Sequence, residues 1–317
     1  MPPTEYVVLL LFWLAMLTFL FFVFMLILIF PLFLMVYNFS RYRDRETSVY
    51  SITNHFYKAI KIFYIGMTIL IGSIICKIGW FIKGLKFGVG ETLPWDLRFM
   101  TVLGLSLVVF VHIHHFILSA LAVQRFFIYF FPLLETRLTM KESTWFFKWV
   151  YFFFYGAHGA MLGVYRLLLV LKVKSKANFY EMTYPVYYIT LNLFLFLSAS
   201  LYIPLFFSIK KLKHLFSASI YKPHKYILNQ TVLILASKIA HFLSFFYYSY
   251  YNLDVFFGYC IFCILDLIST PLTIQTSYLL CSKRNVSTLK NMFWKFFNGS
   301  PVGPYTLRTH EASNAIT

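Results

Sequence analysis

Seven stretches of this chain are long and apolar enough to cross a lipid bilayer, and that property alone excludes most folds. They are residues 12–37, 62–82, 100–131, 146–171, 185–209, 226–248 and 255–281. A helix rises about 1.5 Å per residue, so about 20 residues cross about 30 Å of hydrocarbon. Each stretch meets that length. Hydrocarbon offers no hydrogen-bond partner to a peptide group, so segments of this kind are expected to be helical. The expected architecture is an all-α membrane protein, a seven-transmembrane helix bundle. The third stretch has residues to spare, which permits tilt or projection beyond the membrane without specifying an angle.

Positive charge orients the bundle. Of the 28 Lys and Arg, 19 fall on the odd-numbered connections, their flanking helix ends and the C-terminal tail. They include Arg41, Arg43 and Arg45, then Arg125, Arg137 and Lys141, then Lys210, Lys211 and Lys213, then Lys283 and Arg284. Seven lie on the other side, among them Lys83, Arg98 and Lys172, while Lys77 and Lys238 lie inside helices. Cytoplasmic loops carry the excess of Lys and Arg. The N-terminus is therefore expected outside and the C-terminus in the cytoplasm. The first stretch agrees, with only Glu5 before it and three Arg after it.

The seven helices and their short connections use nearly the whole chain. One membrane domain, residues 1–297, is expected, with a disordered cytoplasmic tail at 298–317. Charged residues make up 12% of the chain, about half the share in soluble domains. The net charge of +17 flanks helices and complements anionic lipid on the cytoplasmic face; no nucleic-acid-binding motif accompanies it. The first apolar run is too long for the core of a cleaved signal, and an acid rather than a base precedes it. It is expected to stay as an anchor. Pro2 excludes myristoylation.

Neither the cysteines nor the glycosylation triplets point outward. Cys76, Cys260, Cys263 and Cys281 all lie outside the expected outer loops, so no extracellular disulfide is expected. Cys260 and Cys263 read as small apolar residues of the seventh helix. Cys281, beside Lys283 and Arg284, is either a palmitoylation site or a plain thiol. The Asn-x-Ser/Thr triplets at Asn38, Asn229, Asn285 and Asn298 fall on the expected inner side and should carry no glycan.

Polar groups in hydrocarbon are costly and tend to face the bundle interior. In the sixth helix Gln230, Ser237, His241, Ser244 and Tyr248 trace one face at helical spacing. In the seventh, Asp266, Ser269, Thr270, Thr273, Thr276 and Ser277 trace another. Two readings stand: interhelical hydrogen bonding alone, at about 0.6 kcal/mol per bond, or a shared cavity. Asp266 is the one acid deep in a span, and Lys238 sits near the middle of the helix before it. Each charge alone would cost a few kcal/mol at the bilayer centre. A Lys238–Asp266 pair is the simplest remedy; Lys238 against a ligand, or Asp266 protonated or holding a cation, are the alternatives.

The third helix carries His112 and His115 on one face and His114 on another. No convergent metal ligands accompany them in sequence, so interior packing or ligand contact is expected rather than a metal site. The candidate ligand-binding residues are His112, His115, His241, Ser244 and Tyr248. Past the seventh helix, Val286, Leu289, Phe293 and Phe296 share a face, with Lys283, Arg284, Lys290 and Lys295 around them. A short basic amphipathic helix at about 284–297, lying on the inner leaflet, is expected.

Three segments resemble one known family. They are SRYRDRETSVYSITNHFYKAIK after the first stretch, HHFILSALAVQRFFIYFFP ending the third, and KKLKHLFSASIYKPHKYILNQT leading into the sixth. Together they resemble the nematode serpentine receptor class Z (Srz) chemoreceptors. The likeness is good in the two inner loops and the third-helix end, and looser over most of the seven helices. It implies a G-protein-coupled chemosensory receptor in the plasma or ciliary membrane of a sensory neuron. It also implies an unknown small-molecule ligand and a heterotrimeric G protein as partners besides the bilayer. By the same resemblance, Arg125 stands where seven-helix receptors place the arginine that meets the G protein, with Lys210, Lys211 and Lys213 on the same side. The triplet here is Gln-Arg-Phe, not Asp-Arg-Tyr, and no Asn-Pro-x-x-Tyr follows in the seventh helix.

Other classes fit less well. A transporter calls for internal repeats, interrupted helices or several intramembrane acids. A ligand-gated channel of the insect odorant-receptor kind has the opposite topology. No enzyme or cofactor motif is present: neither His-Glu-x-x-His, nor Gly-x-Ser-x-Gly, nor a P-loop. No cofactor is expected.

Overall fold

The computed structural model describes residues 3–45, 50–82, 95–131, 143–170, 177–204, 228–239, 255–280 and 283–298. These are almost wholly helical. The helices are α1 (Pro3–Asp44), α2 (Tyr50–Ile82), α3 (Trp95–Phe130), α4 (Ser143–Val170) and α5 (Ala177–Ser200). After them come α6 (228–239), α7 (Val255–Leu280) and α8 (Lys283–Phe297). Four helices among the described residues are long and apolar enough to cross a membrane, within Leu20–Arg41, Tyr50–Ile78, Leu97–Phe130 and Thr183–Pro204.

Several helices begin earlier than the apolar stretches that announce them. The second starts at Tyr50, not residue 62. Its first turns, YSITNHFYKAIK, are too polar for an apolar window. Yet Ile52, Phe56, Ala59, Ile60 and Phe63 are buried along one stripe, the period that marks an amphipathic helix. The fifth starts at Ala177, not 185, so Pro185 lies inside it. Membrane helices tolerate such a proline because neighbouring groups take up the freed carbonyl. Its regular part ends at Ser200, and 202–204 are helical again after a turn at Leu201. The first helix also outruns its apolar core at both ends, since peptide hydrogen bonding continues where side chains become polar. Residues 205–209, 240–248 and the tail 299–317 lie outside the described residues.

The chain divides into two compact units. The larger comprises residues 51–220 and 231–270. In it α3 is the central helix, packing on α4 and most extensively on α5. Ala59, Phe63, Leu107, Phe110, Val111 and Leu267 form its core cluster. His55 stacks on Phe147 at 3.9 Å between ring centroids, and the Phe56 ring meets His114 edge-on at 4.7 Å. Lipid is as apolar as these side chains, so close packing rather than exclusion from water holds such helices together.

The smaller unit comprises residues 1–50, 221–230 and 271–317. In it Phe33 and Tyr37 of α1 pack on Tyr278, at 5.5 and 5.8 Å between centroids. The helix α8 lies against α1. Asn285 is the clasp: its amide donates to the Tyr278 carbonyl at 2.9 Å and its Oδ1 accepts from the Ser40 hydroxyl at 3.5 Å. Asn285 and Thr288 are buried, whereas Val286 and Trp294 are exposed. So α8 turns small polar groups toward the protein and leaves apolar ones outward, which suits a helix lying at a lipid surface.

Two glycines of α2 differ sharply in their surroundings. A Cβ on Gly66 would lie 2.9 Å from Leu107 Cδ2, while one on Gly72 would meet nothing within 4 Å. Gly72 borders an apolar groove of about 440 Å³ lined also by Ile69, Cys76, Phe99 and Met100. Gly66→Leu is expected to destabilise the protein by about 1–3 kcal/mol through overpacking, whereas Gly72→Leu should leave the melting temperature in detergent unchanged or raised. Equal melting of the two variants would show that α2 and α3 do not approach closely at Gly66.

Candidate functional site

Two opposite charges are buried together in the larger unit. Lys238 of α6 and Asp266 of α7 are 4% and 1% exposed, and Lys238 Nζ donates to Asp266 Oδ2. Tyr188 of α5 completes the group. Its hydroxyl donates to the same carboxylate oxygen at 2.7 Å and accepts from Lys238 Nζ at 3.1 Å. The ammonium also lies 4.8 Å from the centre of the Tyr188 ring, where the π face attracts it. Three consecutive helices thus converge on one neutral assembly. Each charge alone would be costly in a low-dielectric interior, and the pair removes that cost only with good geometry and extra hydrogen bonds, which Tyr188 supplies.

Beside this node is a second polar group. His112 of α3 lies 5.8 Å from Tyr188 and 5.4 Å from Tyr187 between ring centroids. His158 of α4 lies 6.3 Å from His112 and 5.1 Å from Tyr187. Both nitrogens of His112, Nε2 of His158 and the Tyr187 hydroxyl are buried without a hydrogen-bond partner. Each such orphan costs about 1–3 kcal/mol, a cost that a polar partner placed among them would relieve. His115 is better satisfied: Nε2 shares a hydrogen bond of 3.0 Å with the Thr270 hydroxyl.

The polar residues of α7 divide by where their bonds go. Thr276 and Ser277 donate to carbonyls of their own helix, Leu272 at 2.7 Å and Ile274 at 3.0 Å. Hydroxyls bonded back in this way sit in hydrocarbon without any other partner. Asp266 and Thr270 instead bond across to other helices. On α6 the buried positions are Gln230, Thr231, Ile234 and Lys238, and Ser237 is half-buried.

Of the residues singled out from the sequence, His112, His115, Lys238, Asp266 and Arg125 are described. Arg125 is half-buried near the C-terminal end of α3, and its Nε is buried without a hydrogen-bond partner. His241, Ser244, Tyr248, Lys210, Lys211 and Lys213 lie outside the described residues. Sequence reasoning missed His158, Tyr187 and Tyr188. No signal marked the two tyrosines among the 24 in the chain. His158 carried one, as a lone imidazole in an aromatic span.

A model of the family described as the serpentine type 7TM GPCR chemoreceptor Srz matches residues 16–283. The chain is an Srz chemoreceptor-family protein. The match runs from α1 through the end of α7 and so covers every residue of the charge node and the histidine cluster. No curated protein and no solved structure matches the chain. Srz is a family of membrane-embedded serpentine chemoreceptors, not of enzymes. Among the described residues, no three or more His, Cys, Asp or Glu converge in a group that could hold a metal ion.

The charge node makes a testable energetic claim for this Srz protein. Removing one partner leaves the other charge buried alone, at about 3–5 kcal/mol, whereas replacing both is tolerated far better. Lys238→Met or Asp266→Asn is expected to lower surface expression, and the double variant to recover part of it. Tyr188→Phe should cost less than either, about 1 kcal/mol for one hydrogen bond. Strictly additive losses in a double-mutant cycle would mean that the two charges do not interact.

Proposed function

We propose that this Srz protein is a G-protein-coupled chemosensory receptor that binds a small molecule within the helix bundle. On this reading seven helices span the membrane, with the N-terminus outside and the C-terminus in the cytoplasm. Residues 1–297 form the receptor domain, and α8 lies along the inner leaflet ahead of a tail at 298–317. The ligand meets the inward faces of α3 and of the sixth span, at His112, His115, His241, Ser244 and Tyr248, with the Lys238–Asp266 pair tying the sixth span to the seventh. Arg125, Lys210, Lys211 and Lys213 form a basic face for a heterotrimeric G protein. The observation that carries this reading is the family match across residues 16–283, which runs from within α1 past the end of α7.

Topology is tested directly. An N-terminal tag should be reached by antibody on intact cells, and a C-terminal tag only after permeabilisation; the reverse pattern would overturn the orientation. Asn38 is the more informative native glycosylation triplet, because it is exposed. Asn285 is buried and engaged with Ser40 and Tyr278, so it would be a poor acceptor on either side.

Coupling is tested at Arg125. A guanidinium offers several donors in a planar fork that an ammonium reproduces poorly, whereas anchoring to anionic headgroups needs only charge. Arg125→Lys should therefore keep surface expression and ligand binding but lower stimulus-dependent loading of a guanine nucleotide analogue by tenfold or more. Full loading by this variant at normal expression would leave Arg125 as a membrane anchor only.

A further inference from the structure

His112, His158 and Tyr187 come from three different helices and meet with polar atoms that bond nothing. His112 is 1% and His158 6% exposed, and their rings and that of Tyr187 are mutually adjacent. We propose that this triangle recognises the hydroxyl group of a small uncharged molecule, an aliphatic or aromatic alcohol. The proposal rests on the reading of the chain as a receptor with its ligand inside the bundle, and it specifies the chemistry of that ligand.

Charge selects the first property. Lys238 and Asp266 answer each other and both engage Tyr188. Among the described residues around the cluster, no further charge is left over for a ligand carboxylate or ammonium. An ion entering beside the node would lose its hydration and gain no partner of opposite sign. A neutral molecule avoids that cost.

Hydrogen-bond sense selects the second. His158 Nδ1 lies 2.9 Å from the Phe154 carbonyl. A carbonyl only accepts, so Nδ1 carries the proton, and in the neutral ring Nε2 is left as an acceptor. The ligand must therefore donate there. Ethers, esters, aldehydes and ketones lack a donor, whereas a hydroxyl has one and also accepts. One hydroxyl can donate to His158 Nε2 while taking a hydrogen bond from the Tyr187 hydroxyl or from the N–H of His112. Both of the latter groups are unpartnered and buried.

The surroundings select the third. Tyr184 lies 5.8 Å from His158 and Tyr188 5.8 Å from His112 between ring centroids, and Phe154, one turn before His158, is buried. A few fixed polar atoms among aromatic rings suit an amphipathic molecule with an apolar body. A metal ion fits less well. Two imidazoles and a phenol fall short of the usual ligand set, and no acidic or further histidine ligand completes a group among the described residues.

The test uses the full-length protein in lipid nanodiscs. The probes are hexanol and benzyl alcohol against hexanoate, hexylamine and methyl pentyl ether, with saturable change in intrinsic fluorescence as the readout. Nucleotide loading with G protein is measured in parallel. The alcohols should give a saturable signal, and His158→Phe and Tyr187→Phe should each weaken it at least tenfold in variants that still melt cooperatively. His158→Gln, which keeps an acceptor, should retain part of it. Tighter binding of the acid, amine or ether would overturn the hydroxyl class. So would the absence of a saturable alcohol signal in folded protein, or alcohol affinity unchanged in both phenylalanine variants. Alcohol binding without nucleotide loading would remove the receptor reading and keep this site. Loading driven only by an acid or an amine would do the opposite.

Discussion

A lysine and a carboxylate share the interior of this bundle, and their mutual neutralisation conditions what surrounds them. Unpaired, either would draw water or a counter-ion into the helix contacts. Paired, and with Tyr188 bonded to both, they become a short neutral bridge from α5 through α6 to α7. Tyr188 and Tyr187 are neighbours on one helix, and both rings lie against His112. The node therefore also orders the aromatic wall around the histidine cluster. Its value is less in net stability, since a well-packed apolar replacement can match a buried ion pair, than in fixing which helices meet and in what register.

The remaining polar residues show that polarity in a span does not by itself mark function. Thr68, Thr101, Ser106 and Thr190 each donate to the carbonyl one turn back at 2.8 Å. These hydroxyls are satisfied by their own helix and need nothing from a partner. His115 Nε2 and the Thr270 hydroxyl bond each other across helices. His112 and the Tyr187 hydroxyl do neither, and His158 bonds its own helix through Nδ1 alone, leaving Nε2 unused. The distinction lies in where the hydrogen bonds go, not in residue type, and it separates structural polar groups from those with unused bonding capacity.

That distinction also explains how far the sequence could be read. Apolar windows located the helices because each span must be apolar whatever it packs against. They missed the start of α2, where Ile52, Phe56 and Ala59 face the core but Asn54, His55 and Lys58 dilute the average. Spacing placed His112 and His115 on one face and Asp266 and Thr270 on another, because helix geometry is local. It could not bring His158 or Tyr188 to them, since contacts between helices depend on rotation and tilt, which no single segment encodes. Nor could it show that Thr276 and Ser277 spend their hydroxyls on their own backbone. In α8 the periodicity identified an apolar stripe, while the face turned to the protein is set by Asn285, a residue that reads from sequence as a glycosylation triplet.

The most buried of the four apolar spans found among the described residues links the two ends of the proposed mechanism. In α3, 72% of the spanning window is buried, and it packs on both α4 and α5. It carries His112 and, 13 residues on, Arg125, about 20 Å further along at 1.5 Å per residue. A hydroxyl bound between His112, His158 and Tyr187 would join α3 to α4 and α5 through bonds that are otherwise unmade. Such a ligand can shift the receptor only by binding one packing of these helices better than another. On this proposal the orphaned atoms would supply that differential, because a hydroxyl relieves most of them in an arrangement that brings all three rings to it. A shift of α3 accommodated there moves Arg125 with it, since a continuous helix from Trp95 to Phe130 transmits displacement along its axis. On the proposed mechanism a ligand at His112 and an output at Arg125 would be coupled by one continuous helix, with no need for a chain of side-chain rearrangements between them.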